Sequence, residues 1–203
     1  QINLALIGFN ASAVLLLSGA LDTVLAKLDQ TGNALDRLTA SGATNYEAAL
    51  QEANAWFAEH ESNGYQNRAY FLTDGNPTVR NASPNSSGST VNFYDVYDAI
   101  DDAAELMARA ELHAIGIGTG VSERILSFFD NTNSAGTATY YSEGRSFTAA
   151  VGQPAIVTTD KQLFAELDSG GTIQVPAPLG NDLLTGAEGD DLLFGDSLNT
   201  SWL

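Results

Sequence analysis

Short apolar runs separated by polar punctuation set the pattern from the first residues onward. Ile2 to Phe9 (INLALIGF) and Ala13 to Leu17 (AVLLL) flank Asn-Ala-Ser, which predicts two strands joined as a hairpin. From Ala20 to Leu28 the period lengthens, and Leu21, Val24, Leu25 and Leu28 fall on one helical face. Past a polar connection, Thr44 or Asn45 is placed to cap a helix carrying Ala48, Ala49, Leu50, Ala53, Trp56 and Phe57 to about His60. Arg68 to Thr73 reads as a strand, and Gly75 to Thr90, rich in Asn, Ser, Gly and Pro, as a loop. A helix from about Tyr94 to Ala110, a buried strand Leu112 to Ile117 and a helix Val121 to Phe129 follow. Tyr140-Tyr141 and Ala155 to Val157 are candidates for the last strands, and Lys161 to Leu167 for a closing helix.

Strands alternating with helices, over connections long enough for crossovers, predict an α/β fold: a doubly wound, mostly parallel sheet with helices on both faces. Ligands bind such sheets beyond the carboxyl ends of the strands. Asp74 stands at one such end, in AYFLTDGNPT, where an apolar strand stops in a carboxylate and Gly and Pro turn the chain. A carboxylate there is costly unless something pairs with it. A solvated turn Asp beginning Asp-Gly-Asn-Pro is the plain account, and a bound cation is the other.

After Leu167 the character of the sequence changes. Residues 1–168 read as one domain, 169–178 as a Gly, Ser and Pro-containing linker, and 179–203 as something periodic. Gly180 and Gly189, Asp182 and Asp191, Leu184 and Leu193, and Gly186 and Gly195 each recur at a spacing of nine. Glycines for tight turns, Asp and turn carbonyls as hard oxygen ligands and leucines for an interior make physical sense as a calcium-binding β-roll, with Asp182 and Asp191 as ligands to Ca²⁺. This segment resembles the nonapeptide repeats of RTX proteins. Leu179-Gly180 and Glu188-Gly189 depart from that family's double glycine, and two copies fall short of the roughly three that a stable roll needs.

Charge narrows the partners. The chain carries 25 acidic against 8 basic residues, a formal charge of −17, which repels phosphate backbones and anionic lipid and so excludes nucleic acid. No run approaches the roughly 18 apolar residues of a membrane span, so no membrane insertion is expected. Zero cysteines exclude disulfides and thiolate chemistry. The chain does not open on Met, and it reads as a piece of something longer.

Ser-Gly-Ala-Thr44-Asn before a helix and Leu-Thr-Asp74-Gly after a strand would meet at the mouth of the sheet. These two motifs, with Ala-Ile-Gly-Ile-Gly-Thr-Gly at 114–120, resemble the von Willebrand factor A domain and its metal-ion-dependent adhesion site, over roughly residues 1–168. The resemblance implies Thr44 and Asp74 as ligands to Mg²⁺ or another divalent cation, with Asn45, Gly75 and Asn76 beside the bound ligand. The family's Asp-x-Ser-x-Ser loop, its first strand and its first helix should precede Ile2. An upstream segment, or another piece of polypeptide, is therefore expected to complete the domain.

Other features read as structural. Asp130-Asn-Thr-Asn-Ser134 fits Asp-x-Thr-x-Ser by letters but stands in the wrong place. Gly116-Ile-Gly-Thr-Gly120 reads as a tight strand-to-helix turn because Val121 replaces the third glycine of a dinucleotide loop. Asp95, Asp98, Asp101, Asp102 and Glu105 read as a solvated face complementing the helix dipole, with a further calcium site in the 75–105 region as the alternative. His60 and His113 lack metal-ligand spacing. No hydrolase nucleophile is visible, so the chain is not expected to be an enzyme.

Together the two resemblances imply a metal-dependent adhesion module of a large secreted bacterial RTX adhesin. Such a protein is exported by type I secretion, folds on external calcium, sits extracellularly at the bacterial cell surface and supports attachment and biofilm, binding a protein, peptide or surface ligand with an acidic group. The competing expectations are an accessory module of an extracellular RTX enzyme and a calcium-stabilised spacer.

Overall fold

A computed structural model describes residues 2–35, 42–60, 66–83 and 89–169. The repeat at 179–203, with Asp182 and Asp191, lies outside the described residues. The chain opens with strand β1 (Asn3–Phe9) paired antiparallel to β2 (Ala13–Ala20), followed by helix α1 (Leu21–Leu28). Helix α2 (Tyr46–His60) starts where the Asn45 side-chain oxygen accepts the Ala48 N–H at 3.0 Å, so Asn45 rather than Thr44 is its cap. Strand β3 (Arg68–Thr73) leads through the loop to α3 (Phe93–Arg109). Asn92 and Asp95 close a capping box at the start of α3, the Asn92 N–H donating to Asp95 at 2.9 Å.

Strand β4 (Glu111–Ile117), the short helix α4 (Glu123–Leu126) and a 3₁₀ turn (Ser127–Phe129) come next. A second hairpin, β5 (Gly136–Ser142) with β6 (Arg145–Val151), precedes β7 (Ala155–Val157) and α5 (Asp160–Ser169). Strands β3, β4 and β7 form a parallel sheet with β4 in the centre, Phe71 opposite Ala114 and Ile115 opposite Ala155.

Helices cover both faces of this sheet. Phe71 points to the side of α2, its ring meeting Tyr46 edge-on at 4.7 Å. Tyr70, the next residue, points the other way, where its hydroxyl donates to the Leu167 carbonyl of α5 at 3.2 Å. The core lies on the α2 and α3 side and gathers Tyr46, Leu50, Phe71, Val96, Leu106, Leu112, Leu126 and Phe129. Among the described residues no helix is long and apolar enough to cross a membrane.

The α/β class and helices on both faces agree with the hydrophobic pattern, but the sheet is smaller than expected. Only three of the described strands are parallel, and both hairpins form separate antiparallel sheets. The hydrophobic pattern does not announce strand β6, because Ala149 and Ala150 dilute its alternation and the turn before it is Glu143-Gly144. That pair carries the two positive φ angles, 52° and 73°, of a two-residue hairpin turn in which Asn-Gly or Asp-Gly is usual.

The acidic run on α3 is divided among separate tasks rather than left as one solvated face. Asp95 is buried in the capping box, Asp98 pairs with Arg80 at 3.2 Å, Asp102 accepts from Gln51 at 3.0 Å, and Glu105 pairs with Arg109 at 3.1 Å. Asp102 is held above the usual carboxylate range first by burial, with neighbouring carboxylates adding to it.

Candidate functional site

The carboxyl ends of β3 and β4 and the start of α2 converge on one mouth. Thr44 immediately precedes the Asn45 cap, and Gly75 follows Asp74 at the end of β3. A Cβ on Gly75 would lie 3.0 Å from the Thr44 hydroxyl oxygen, so the absence of a side chain there lets the Thr loop lie against the Asp loop. Thr44 also takes part through its backbone: its carbonyl accepts the Thr78 N–H at 2.9 Å, and its N–H donates to the Thr78 hydroxyl at 3.1 Å. Asp74 is exposed at this mouth, while Thr44 is half-buried. The fold thus lays the Thr44 loop against Gly75, the residue that follows Asp74.

The Asp loop is held from beneath by a phenol. The Tyr46 hydroxyl donates to the Gly75 carbonyl at 2.7 Å, and the Thr73 hydroxyl donates to the same carbonyl at 2.8 Å. Tyr46 is fully buried, and burial drives its phenol well above the ordinary range; the Thr73 hydroxyl partly opposes this and the negative charge of Asp74 adds to it. A folded-state pKa raised in this way gives stability that is fully present below the unfolded value of about 10 and is lost as pH climbs above it, by about 1.4 kcal/mol per pH unit. Tyr46→Phe should accordingly be about 1 kcal/mol less stable than the parent near neutral pH, through loss of the Gly75 bond. The two stability curves, measured by urea unfolding, should converge and cross between about pH 10 and 11.5. Parallel curves over that range would show that the phenol is not enclosed.

The three residues expected beside a bound ligand have different fates. Asn45 is wholly enclosed: its amide donates to the Ala11 carbonyl at 3.1 Å and to Asn81 at 2.9 Å, and its backbone N–H donates to Asn10 at 2.7 Å. It clasps the β1–β2 turn, the α2 cap and the loop after β3, and has no surface to offer a ligand. Asn76 bridges to the β4 turn, donating to the Gly120 carbonyl at 3.0 Å and accepting the Ser122 N–H at 2.7 Å. Gly75 remains half-buried at the mouth, with its carbonyl committed to Tyr46 and Thr73.

Gly118, at φ 84°, makes the turn read from Gly116 to Gly120, and Ser122 caps α4 by accepting the Ile125 N–H. The letters of Asp130-Asn-Thr-Asn-Ser134 do not make a second site. Asp130 is 2% exposed and its carboxylate is saturated by the Ala114 N–H at 2.8 Å, the Thr132 N–H at 2.8 Å and hydroxyl at 2.6 Å, and the Gln153 N–H at 3.2 Å. Its work is to tie β4 to the segment between β6 and β7. Sequence reasoning did not find its counterpart, Gly152, whose closeness to Asp130 is a long-range property. The histidines are structural, His60 stacking on Trp56 at 4.6 Å and His113 on Tyr70 at 5.2 Å.

A hydroxyl and a carboxylate suit Mg²⁺ or Ca²⁺ in kind, both being hard oxygen donors. They fall short in number, since Mg²⁺ takes about six ligands, so water or a further loop must complete the shell. Among the described residues no group of three or more His, Asp or Glu side chains converges on one point. No protein-family model matches the chain, and comparison with curated proteins finds no match.

Proposed function

We propose that this chain is the bulk of a von Willebrand factor A-like adhesion module, joined to the start of an RTX calcium-binding region, and that it works by binding rather than catalysis. The observation that carries this reading is the close approach of the Thr44 hydroxyl to Gly75, the residue after Asp74, at the carboxyl end of a parallel sheet, where ligands bind α/β proteins. A divalent cation held by the Thr44 hydroxyl and the Asp74 carboxylate would present open positions to an acidic group on a protein, peptide or surface partner. The remaining protein ligands come from a segment outside residues 1–203. Tyr46 and Thr73 fix the Gly75 carbonyl and thereby set the position of Asp74, and Asn76 locks the same loop to the β4 turn.

The setting is a secreted, extracellular protein of the bacterial cell surface, exported by type I secretion and serving attachment and biofilm. A formal charge of −17 suits it, because repulsion among carboxylates disfavours compaction until cations bind. The second reading, an accessory module of an extracellular RTX enzyme, draws on the repeat alone, which fits either parent.

Calorimetric titration with Ca²⁺ and Mg²⁺ tests the proposal. Asp74→Ala should abolish one class of binding and leave a second, which the double change Asp182→Ala with Asp191→Ala should remove. If Asp74→Ala binds both cations as the parent does, calcium belongs to the repeat alone and the adhesion reading falls.

A further inference from the structure

Helix α3 opens with three aromatic residues at helical spacing, Phe93, Tyr94 and Tyr97, and only the first of them is buried. Phe93 is fixed by the second hairpin, its ring 5.9 Å from that of Phe147 and 6.4 Å from that of Tyr140. Tyr97 lies almost parallel on Phe93, at 5.4 Å and 18°, yet remains 47% exposed. Its contacts with Phe147 and Tyr94 are tilted or edge-on, and among the described residues no other ring stacks on it. The face away from Phe93 is therefore turned to water. A large flat ring held in this way forms an apolar floor.

Tyr94 makes a wall beside that floor. Its ring stands at 79° to that of Tyr97 with centroids 6.3 Å apart, and it too is exposed. Two guanidinium groups attend this one ring, Arg80 with its central carbon 4.7 Å from the centroid and Arg145 at 5.2 Å. They arrive from different elements. Arg80 is held by Asp98 at 3.2 Å, and Arg145 follows the β5–β6 turn, whose Glu143 carboxylate accepts the Phe93 N–H at 3.2 Å. The charges about the corner nearly cancel, Arg80 and Arg145 standing against Asp98 and Glu143, with Asp101 one turn beyond Tyr97. On a chain of net charge −17, such local balance favours a neutral ligand over an ion of either sign. Guanidinium donors and carboxylate acceptors around an open aromatic face suit a group that is apolar on one side and carries hydroxyls, which both donate and accept, at its rim.

We propose that this corner is a saccharide subsite, separate from the mouth at Thr44 and Asp74 and needing no cation, which takes one neutral hexose ring of a surface glycan. The axial C–H bonds of the sugar lie on the electron-rich face of Tyr97, and the edge of its ring abuts Tyr94. Its hydroxyls accept from the Arg145 guanidinium and donate to the neighbouring carboxylates. Because Phe93 and the two arginines already hold both tyrosines, little side-chain freedom is lost on binding.

Affinity electrophoresis of the full chain tests the proposal, in native gels cast with dextran, mannan or galactan and with alginate as the polyanionic control. At least one neutral polymer should retard the parent, equally in EDTA and in Ca²⁺. Tyr97→Ala should weaken that retardation about tenfold and Arg145→Ala severalfold, while Tyr97→Trp, which keeps a flat face, should retain it. Thermal midpoints by circular dichroism check that each variant is folded. Arg145 is exposed at the start of β6, so Arg145→Ala carries the test should Tyr97→Ala fail to fold. Failure of all three neutral polymers to retard the parent would overturn the proposal, as would equal retardation of the parent and the folded variants, or retardation by alginate alone. A Tyr97-dependent shift with capped decaproline and none with the sugars would make the corner a peptide groove and overturn it as well. Retardation that needs Ca²⁺ and disappears in Asp74→Ala would belong to the mouth and sink the subsite, whereas loss of cation binding in Asp74→Ala with sugar binding intact leaves the two readings to stand or fall separately.

Discussion

Gly152→Ala should destabilise the domain by about 3 to 5 kcal/mol, among the largest effects expected of a single added methyl group. The reason is space and not backbone conformation, for Gly152 does not adopt a positive φ. A Cβ at this position would fall on the Asp130 carboxylate and lie 2.5 Å from the Asp130 carbonyl oxygen and 2.7 Å from its carbon. The backbone cannot yield as the end of a long side chain would. Moving it would also disturb the Gly152 N–H bond to Ser127 at 3.0 Å and the Ala114, Thr132 and Gln153 donors that converge on Asp130. Each buried donor left without an acceptor costs about 1 to 3 kcal/mol. Urea unfolding followed by circular dichroism should show the midpoint falling with an unchanged slope. A shift below about 1 kcal/mol would mean that the β6–β7 connection relaxes freely, and the role given to Asp130 as a tie would be wrong.

Tyr46→Ala should cost about 4 kcal/mol and also loosen the candidate site. Tyr46 is fully buried, with its ring edge-on to Phe71 at 4.7 Å and to Phe129 at 5.0 Å, so truncation opens a cavity where three aromatic rings meet. It also removes the 2.7 Å bond that fixes the Gly75 carbonyl. Comparison with Tyr46→Phe separates the two contributions, because phenylalanine keeps the packing and loses only the bond. Stability should fall sharply for alanine and mildly for phenylalanine, while exchange of the Gly75 and Asn76 amides should quicken in both. If only the alanine variant shows quicker exchange, packing rather than the hydroxyl positions the Asp loop.

The sequence made most elements legible, because their cues are local. Leu21, Val24, Leu25 and Leu28 repeat at helical spacing, and Phe71 and Leu72 lie within an apolar strand that Asp74 and Pro77 bring to an end. Legibility failed where a residue's role depends on a distant neighbour. Asn45 and Asn76 stand close to Thr44 and Asp74 in sequence, and sequence proximity alone marks them as ligand contacts. In three dimensions their amides are occupied by Ala11, Asn81, Gly120 and Ser122, which no local pattern reveals. Asp95 looked like one carboxylate among five, yet its position three residues after Asn92 is the mark of a capping box. The β5–β6 turn was hidden because Glu stands where Asn or Asp would have announced it. Thr44 and Asp74 came from motif resemblance, and periodicity alone would have given only a cap and a turn.

The parallel register bears on the order in which the protein assembles. Partners in β3 and β4, and again in β4 and β7, lie roughly forty residues apart along the chain, whereas each hairpin joins near neighbours. Closing long loops costs entropy before any ladder bond repays it, so the hairpins have a kinetic head start of microseconds and the central sheet is the late event. Pulsed hydrogen exchange during refolding would resolve that sequence, with residues 13–20 and 136–151 protected before 68–73 and 111–117. The mouth at Thr44 and Asp74 is then assembled only after the slowest step, so the cation capture proposed for it would report completed folding.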